Sequence, residues 1–291
     1  QDNFYITTPI YYPSGEPHMG HAYSSILADV FARFYRVAGN NVYFLTGTDE
    51  HGLKIQNAAK KNNLEPLEYC DKISKVFKNL TKKLNLSNDD FIRTTEKRHH
   101  NAVNDLWNKL VNSGDIYLSK YKGWYSESDE AYYSEDEIIE KEGKKISTFS
   151  GSLVEWVEEE SYFFKLSAWG KDLLKHYKEN KDFILPSSRK NEVISFVEKG
   201  LKDLSVSRTS FSWGIPVPKN KKHVIYVWLD ALTNYLSSLK YPDEDNNLFK
   251  NFWPADLHII GKDILRFHAI YWPAFLLAAN IKPPKRVYGH G

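Results

Sequence analysis

Two histidines, His18 and His21, flank Met19-Gly20 between a β-type run and a helical pattern. A helix start offers unpaired backbone N–H groups and the positive end of the helix dipole, a natural seat for phosphate. Imidazoles there can donate further hydrogen bonds to phosphate oxygens. Gly20 carries no side chain, so a nucleotide ring can lie against the backbone. A second cluster, Gly47-Thr48-Asp49-Glu50-His51-Gly52, follows another β-type run. An ammonium entering a partly dry cleft needs an anionic partner. Adjacent strand-end residues face different ways, and Asp49 rather than Glu50 is the residue expected to point into the cleft. Trp228-Leu229-Asp230-Ala231 and Gly261-Lys262-Asp263 complete the set. Taken singly, each residue also has a plainer reading: a cap for either histidine, a turn for Asp49, core packing for Trp228 and Tyr235. Neither GxxxxGKS/T nor GxGxxG occurs, which disfavours a P-loop NTPase and an ordinary dinucleotide dehydrogenase.

Four short runs rich in β-branched or aromatic residues must position these groups, at 4–8, 42–46, 224–228 and 257–260. A helical pattern follows each. Residues 19–36 place Ala22, Ile26, Leu27, Val30, Phe31 and Phe34 on one helical face. Residues 66–84 begin with Pro66, favoured in a first helical turn, and repeat Leu67, Cys70, Ile73, Phe77, Leu80 and Leu84. Residues 230–239 and 263–279 also read as helical. Such alternation predicts an α/β fold, a Rossmann-like parallel sheet with helices on both faces. Ligands of open parallel sheets bind beyond the carboxyl ends of the strands, where all these polar clusters fall. The alternation breaks in the middle, where glycines and acidic clusters accumulate. The expected organisation is a first half of the α/β domain at 1–115, an inserted domain at 116–223 and a second half at 224–291.

Composition bounds the partners. A formal charge of +2 over 291 residues announces no tightly held nucleic acid. Cys70 is the only cysteine, so no disulfide can form within the chain and a reducing compartment fits. No apolar run approaches the roughly 20 residues that span a bilayer. The N-terminus lacks a signal-peptide core and does not open with Met, so a trimmed or processed start is expected. These features favour a cytoplasmic protein, with an organelle as the alternative, and neither membrane nor DNA as partner. Lys72, Lys75, Lys78, Lys82 and Lys83 form a basic stripe, read as a solvated helix face or, less simply, an RNA contact.

Together the clusters carry a family resemblance. Pro17-His18-Met19-Gly20-His21 resembles the HIGH signature of class I aminoacyl-tRNA synthetases. The ordered set looks like the methionyl-tRNA synthetase family in particular. It comprises Tyr11-Tyr12-Pro13-Ser14-Gly15, Thr46-Gly47-Thr48-Asp49-Glu50-His51-Gly52, Tyr226-Val227-Trp228-Leu229-Asp230-Ala231, Ile260-Gly261-Lys262-Asp263-Ile264, Phe267-His268 and Trp272-Pro273, and it spans nearly the whole chain. The resemblance implies an ATP-binding ligase of protein biosynthesis that joins L-methionine to tRNA(Met), with Mg2+ arriving with ATP. It implies catalytic roles for His18 and His21, and ATP contacts from His18, Gly20, His21, Gly261, Lys262 and Asp263. It implies a methionine pocket of Ile10, Tyr12, Asp49, Trp228, Leu232, Tyr235, Phe267 and His268, although Leu232 replaces a proline seen in some relatives. The inserted domain takes the place of the family's connective peptide.

Two departures stand out. Ser126 and Asp129 occupy the positions of a zinc-knuckle cysteine pair, so no structural zinc is expected. The family's KMSKS loop and helical anticodon-binding domain lie further on than Gly291, so the chain is expected to bind methionine but activate it poorly. Two other readings stay open. One is a different class I synthetase, although one cysteine cannot build a cysteine enzyme's zinc site and about 110 inserted residues are few for the editing domain of a branched-chain enzyme. The other is a non-catalytic tRNA-binding paralogue, which should have lost some of the strand-end motifs.

Overall fold

The computed structural model describes residues 2–291. Runs of β-branched and aromatic residues form the strands Asn3–Thr7, Asn41–Thr48 and Leu257–Gly261. They belong to a six-stranded sheet ordered Asp90–Arg93, Asn41–Thr48, Asn3–Thr7, Leu257–Gly261, Val287–His290, Ile184–Leu185. Every neighbouring pair is parallel. The chain winds outward from Asn3–Thr7 on one side and returns to its other side at Leu257–Gly261. The gap beyond the carboxyl ends of these two strands is therefore the switch point of the sheet.

Alternation along the strands divides the core. Phe4, Ile6, Val42, Phe44, Leu257 and Ile259 pack on one face with Ala28 and Ala32 of the first helix, Met19–Val37. Tyr5, Leu45, Ile260 and Val287 face the other way, in the large core that holds Val103, Leu106, Trp272 and Phe275. The fold is thus a Rossmann-like α/β sheet covered on both sides. Gly47 is needed where Asn41–Thr48 meets Asp90–Arg93, because a Cβ there would lie 2.0 Å from the carbonyl oxygen of Ile92.

Two expectations are corrected. Residues 224–228 do not add a strand to the parallel sheet. Val224 and Ile225 end the strand Asn220–Ile225, which pairs antiparallel with Ser207–Arg208 and Pro216–Val217, and Trp228 lies in the helix Val227–Leu232. All six residues from Val224 to Leu229 except Trp228 are buried, so the run has no alternation to separate strand from helix. The first helix also turns differently. Ile26, Val30, Phe31 and Phe34 are exposed, and the buried side is Ser24, Ser25, Ala28, Asp29 and Ala32. Its two alanines allow close approach to the sheet. Its polar members are satisfied: Ser25 bonds the Tyr11 hydroxyl at 2.7 Å, Ser24 bonds His290 Nε2 at 2.6 Å, and Asp29 accepts from Arg33 and Ser87.

The middle of the chain builds a four-stranded antiparallel sheet, ordered Leu204–Ser205, Glu155–Phe164, Ile116–Ser126, Ala131–Tyr133. Aromatic pairs such as Trp124 against Trp156 and Tyr125 against Tyr132 brace it, with ring centroids 5.3 and 5.0 Å apart. The turn between Ile116–Ser126 and Ala131–Tyr133 carries Glu130 back to the parallel sheet. There its Oε1 would lie 2.9 Å from a Cβ at Gly52, and Gly52 itself has φ +107°.

Candidate active site

A cavity of about 250 Å³ opens at the switch point. Four segments line it. The loop after the first strand contributes Ile10, Tyr11 and Tyr12, and the second strand's end contributes Asp49. The helices after residue 226 contribute Trp228, Leu232, Asn234 and Tyr235, and the segment after Leu257–Gly261 contributes Gly261, Asp263, Ile264 and His268. Phe267 is stacked on the Trp228 indole, with centroids 3.9 Å apart, and faces a second cavity of about 210 Å³ on its far side. His18, Gly20, His21 and Lys262 do not line the first cavity. They stand at the first helix's N-terminus and just beyond the Leu257–Gly261 strand.

The two histidines cap that helix reciprocally. Gly20 N–H donates to His18 Nδ1 at 3.1 Å, and His18 N–H donates to His21 Nδ1 at 3.0 Å. With each Nδ1 acting as acceptor, the neutral rings carry their proton on Nε2, free to donate outward. Burial, and then the neighbouring His18, lowers the His21 imidazole to a pKa of about 4, so it is neutral near pH 7.

Polar atoms without partners converge on the first cavity. The Tyr12 hydroxyl, Asp49 Oδ1, Trp228 Nε1 and Asn234 Oδ1 are all buried and unbonded. Burying such groups costs about 1–3 kcal/mol each unless a ligand completes them. Asp49 lies 3% exposed, and burial followed by the charges of Asp230, Glu130 and Glu50 pushes its carboxyl well above the usual range. Glu50 is turned away from the cavity, gripped by Arg93 at 2.8 Å and by the hydroxyls of Thr48 and Thr95. On the apolar side, His268 Nδ1 is 3.0 Å from the Ile264 carbonyl and so carries the ring proton. Nε2 then accepts the Tyr235 hydroxyl at 2.6 Å. Burial lowers His268 to about 4, leaving a neutral end wall.

Several residues around the cavity escaped the sequence reading. Glu130 comes from the antiparallel hairpin to Gly52, with its Oε1 unpartnered; His99, in the helix Lys97–Asn112, stands behind Asp230; Arg208 is 4% exposed with its guanidinium 4.1 Å over the Tyr125 ring and Nη1 unpartnered. Gly52, Asp230 and Tyr125, which they meet there, lie far along the chain from them, and no local spacing marks such a partnership.

The residues at the zinc-knuckle positions do not fit zinc. The Asp129 carboxylate accepts the hydroxyls of Tyr133 at 2.6 Å, Ser152 at 2.7 Å and Ser150, while its N–H donates to Ser126 Oγ at 3.1 Å. Hydroxyls and one committed carboxylate do not make the tetrahedral nitrogen and sulfur set that zinc prefers. Among the described residues, no group of three or more His, Cys, Asp or Glu side chains could hold a metal ion.

Comparisons with known proteins place the chain in a family. The family model for tRNA synthetases class I (M) matches residues 4–144 and 143–291. A methionine–tRNA ligase of Rickettsia typhi is 57% identical over 291 residues, covering all of this chain and 56% of that protein. One of Rhizobium meliloti is 56% identical over 289 residues, again covering 56% of its length. The chain thus spans about half the length of the curated relatives it matches. The structure of Mycobacterium tuberculosis methionyl-tRNA synthetase in complex with methionyl-adenylate superposes with a TM-score of 0.98 at 52% identity, covering all of this chain and 57% of that one. The apo form of that enzyme gives 0.87. With the family model matched along almost its whole length, the chain belongs to the class I (M) family of tRNA synthetases, that of methionyl-tRNA synthetase.

Proposed function

We propose that the protein is a methionine–tRNA ligase. It activates L-methionine with ATP to methionyl-adenylate and pyrophosphate, then transfers the methionyl group to the 3′-terminal adenosine of tRNA(Met). The observation that carries this reading is the convergence of unpartnered polar atoms, Asp49 Oδ1 among them, on an aromatic-walled cavity at the sheet's switch point. A ligand with an ammonium at one end and an apolar tail suits both walls. Asp49 takes the ammonium, and the thioether lies among Ile10, Tyr12, Trp228, Leu232, Tyr235 and His268, with Phe267 backing the Trp228 indole.

The adenosine ribose lies against Gly261 and Asp263, with Lys262 beside them, and the phosphates reach the first helix's N-terminus. Magnesium enters with those phosphates. The methionine carboxylate attacks the α-phosphorus, the bond to the β-phosphate oxygen breaks, and pyrophosphate leaves. His18 and His21 donate Nε2–H to the phosphate oxygens, where negative charge grows in the transition state, and the Gly20 backbone lets the nucleotide approach. No side chain becomes a covalent nucleophile; positioning and charge stabilisation supply the acceleration. The reaction belongs with the tRNA pool of the cytoplasm. Among the described residues, no helix is long and apolar enough to cross a membrane.

Amino-acid-dependent pyrophosphate exchange by the full-length protein tests this. Methionine alone should support exchange. His18→Ala or His21→Ala should slow activation by about 2.7–4 kcal/mol while methionine affinity changes little. Exchange driven by leucine, isoleucine, valine or cysteine instead, or no exchange with any amino acid, would overturn the reading.

A further inference from the structure

Glu130 stands behind the wall of the amino-acid cavity and lines neither cavity itself. It comes from the turn between the strands Ile116–Ser126 and Ala131–Tyr133, with φ +50°, a left-handed backbone that costs any residue with a Cβ. Two hydroxyls hold it there. Tyr125 donates to its Oε2, and Tyr226 donates to its backbone carbonyl at 2.7 Å. Tyr226 directly precedes the helix Val227–Leu232, which brings Trp228 and Leu232 to the cavity. The other carboxyl oxygen, Oε1, is buried without a partner.

The Tyr12 hydroxyl lies beside that oxygen and is also buried and unpartnered. Both meet the point that a Cβ on Gly52 would occupy, Oε1 at 2.9 Å and the hydroxyl at 3.2 Å. They are thus no further apart than those two distances laid end to end. Burial pushes the Tyr12 phenol well above its usual pKa; among the charges that add to this, Glu130 comes first and Asp49 second. The phenol therefore keeps its proton between two buried carboxyl oxygens without partners, Glu130 Oε1 and Asp49 Oδ1. An amino acid in the cavity brings an ammonium, which only donates and which Asp49 receives. Glu130 Oε1, outside the cavity, is then the oxygen left for Tyr12. This pairing holds wherever the proton sits: an ionised Glu130 accepts from the phenol, and a proton on Oε1 is donated to the phenol oxygen. Tyr12 and Trp228 line both cavities, so the phenol belongs to the wall between them.

We propose that Glu130 is a positioning residue for amino-acid binding: when the ligand's ammonium takes Asp49, the Tyr12 hydroxyl pairs with Glu130 Oε1, and the phenol is fixed in the cavity wall. The antiparallel unit in the middle of the chain thereby becomes part of the amino-acid site without touching the ligand. The inference rests on the proposed function, since it takes an amino acid as the cavity's occupant.

The test is a double-mutant cycle on the full-length protein, with methionine affinity read by calorimetry and unliganded stability by urea denaturation. Tyr12→Phe and Glu130→Ala should each bind methionine about tenfold more weakly, the size of one hydrogen bond to a carboxyl. The double variant should bind no more weakly than either single one, because each alone already removes the pair. In unliganded protein the two changes should simply add in stability, since the pair forms with the ligand. Glu130→Gln keeps a polar atom at both carboxyl positions and should restore most of the affinity lost in Glu130→Ala. Glu130→Met fills the space without hydrogen bonding, and it takes the place of Glu130→Ala if that variant does not melt cooperatively. If Tyr12→Phe binds methionine like wild type, if the two affinity losses multiply, or if the positions couple in unliganded stability but not in affinity, Glu130 only supports the fold. The inference then falls while the proposed function stands. If wild type binds no methionine, the proposed function fails and takes this inference with it.

Discussion

At the scale of single residues, the site runs on groups held away from their usual protonation. Glu130 is the clearest case for measurement. It is 1% exposed, and burial, partly offset by hydrogen bonds from Tyr125 and the Lys54 backbone, raises its pKa to about 7. A carboxyl raised in the folded state keeps its proton there while the unfolded chain, near 4.5, has lost it. Its contribution is therefore fully present below the unfolded pKa and fades as pH rises through about 7. Glu130→Gln removes this penalty. Relative to wild type it should gain up to about 3 kcal/mol between pH 4.5 and 8, read from urea denaturation across that range. A constant difference at every pH would show that Glu130 is not the group that titrates.

At the scale of elements, the first helix carries two stripes, and hydropathy singles out the wrong one. Ser24, Ser25 and Asp29 look like solvent residues, yet each has a partner on another segment and lies inside. Ala28 and Ala32 between them set the distance to the sheet. Ala32→Leu should overpack that contact and cost about 1–3 kcal/mol. Phe34, 63% exposed, should tolerate Phe34→Gln within about 0.5 kcal/mol, although it belongs to the more apolar stripe. Denaturation midpoints of the two variants decide between the stripes; the opposite ranking would mean that the helix is rotated about its axis. The helix Lys97–Asn112 teaches the same lesson. Its first turn reads as an ordinary basic start, and only the fold brings His99 against Asp230, 131 residues away.

At the scale of the whole molecule, the antiparallel unit must stay folded without a metal clip. Asp129 is the hub that replaces one, with Tyr133, Ser150 and Ser152 donating to it. Asp129→Ala leaves three hydroxyls without their acceptor and should destabilise the protein by about 1.5–3 kcal/mol, with no recovery on adding zinc. Elemental analysis of chelator-free protein should find no zinc; about one zinc per chain, or rescue of the variant by zinc, would refute the replacement. The hub also matters beyond its own sheet, because Glu130, the next residue, reaches Gly52 beside the cavity.

The alternation of β-type runs with helical patterns determined the α/β class, since strand and helix periodicities are local properties of the chain. The strand-end motifs likewise identified Asp49 and Gly261 as neighbours of one cleft, because an open parallel sheet brings its carboxyl ends together, whereas Trp228 reaches that cleft from a helix. The run at 224–228 marks the limit of that reasoning: buried on all sides, it carries no period, and its antiparallel pairing was settled by Ser207–Arg208 and Pro216–Val217. Which stripe of the first helix faces inward depended on partners at Ser87 and His290. Which carboxylates are held depended on Arg93 for Glu50 and on His51 and His99 for Asp230, while Asp49 Oδ1 and Glu130 Oε1 are left without a partner. Those choices are made by groups 43 to 266 residues apart in sequence, so they exist only once the chain is folded.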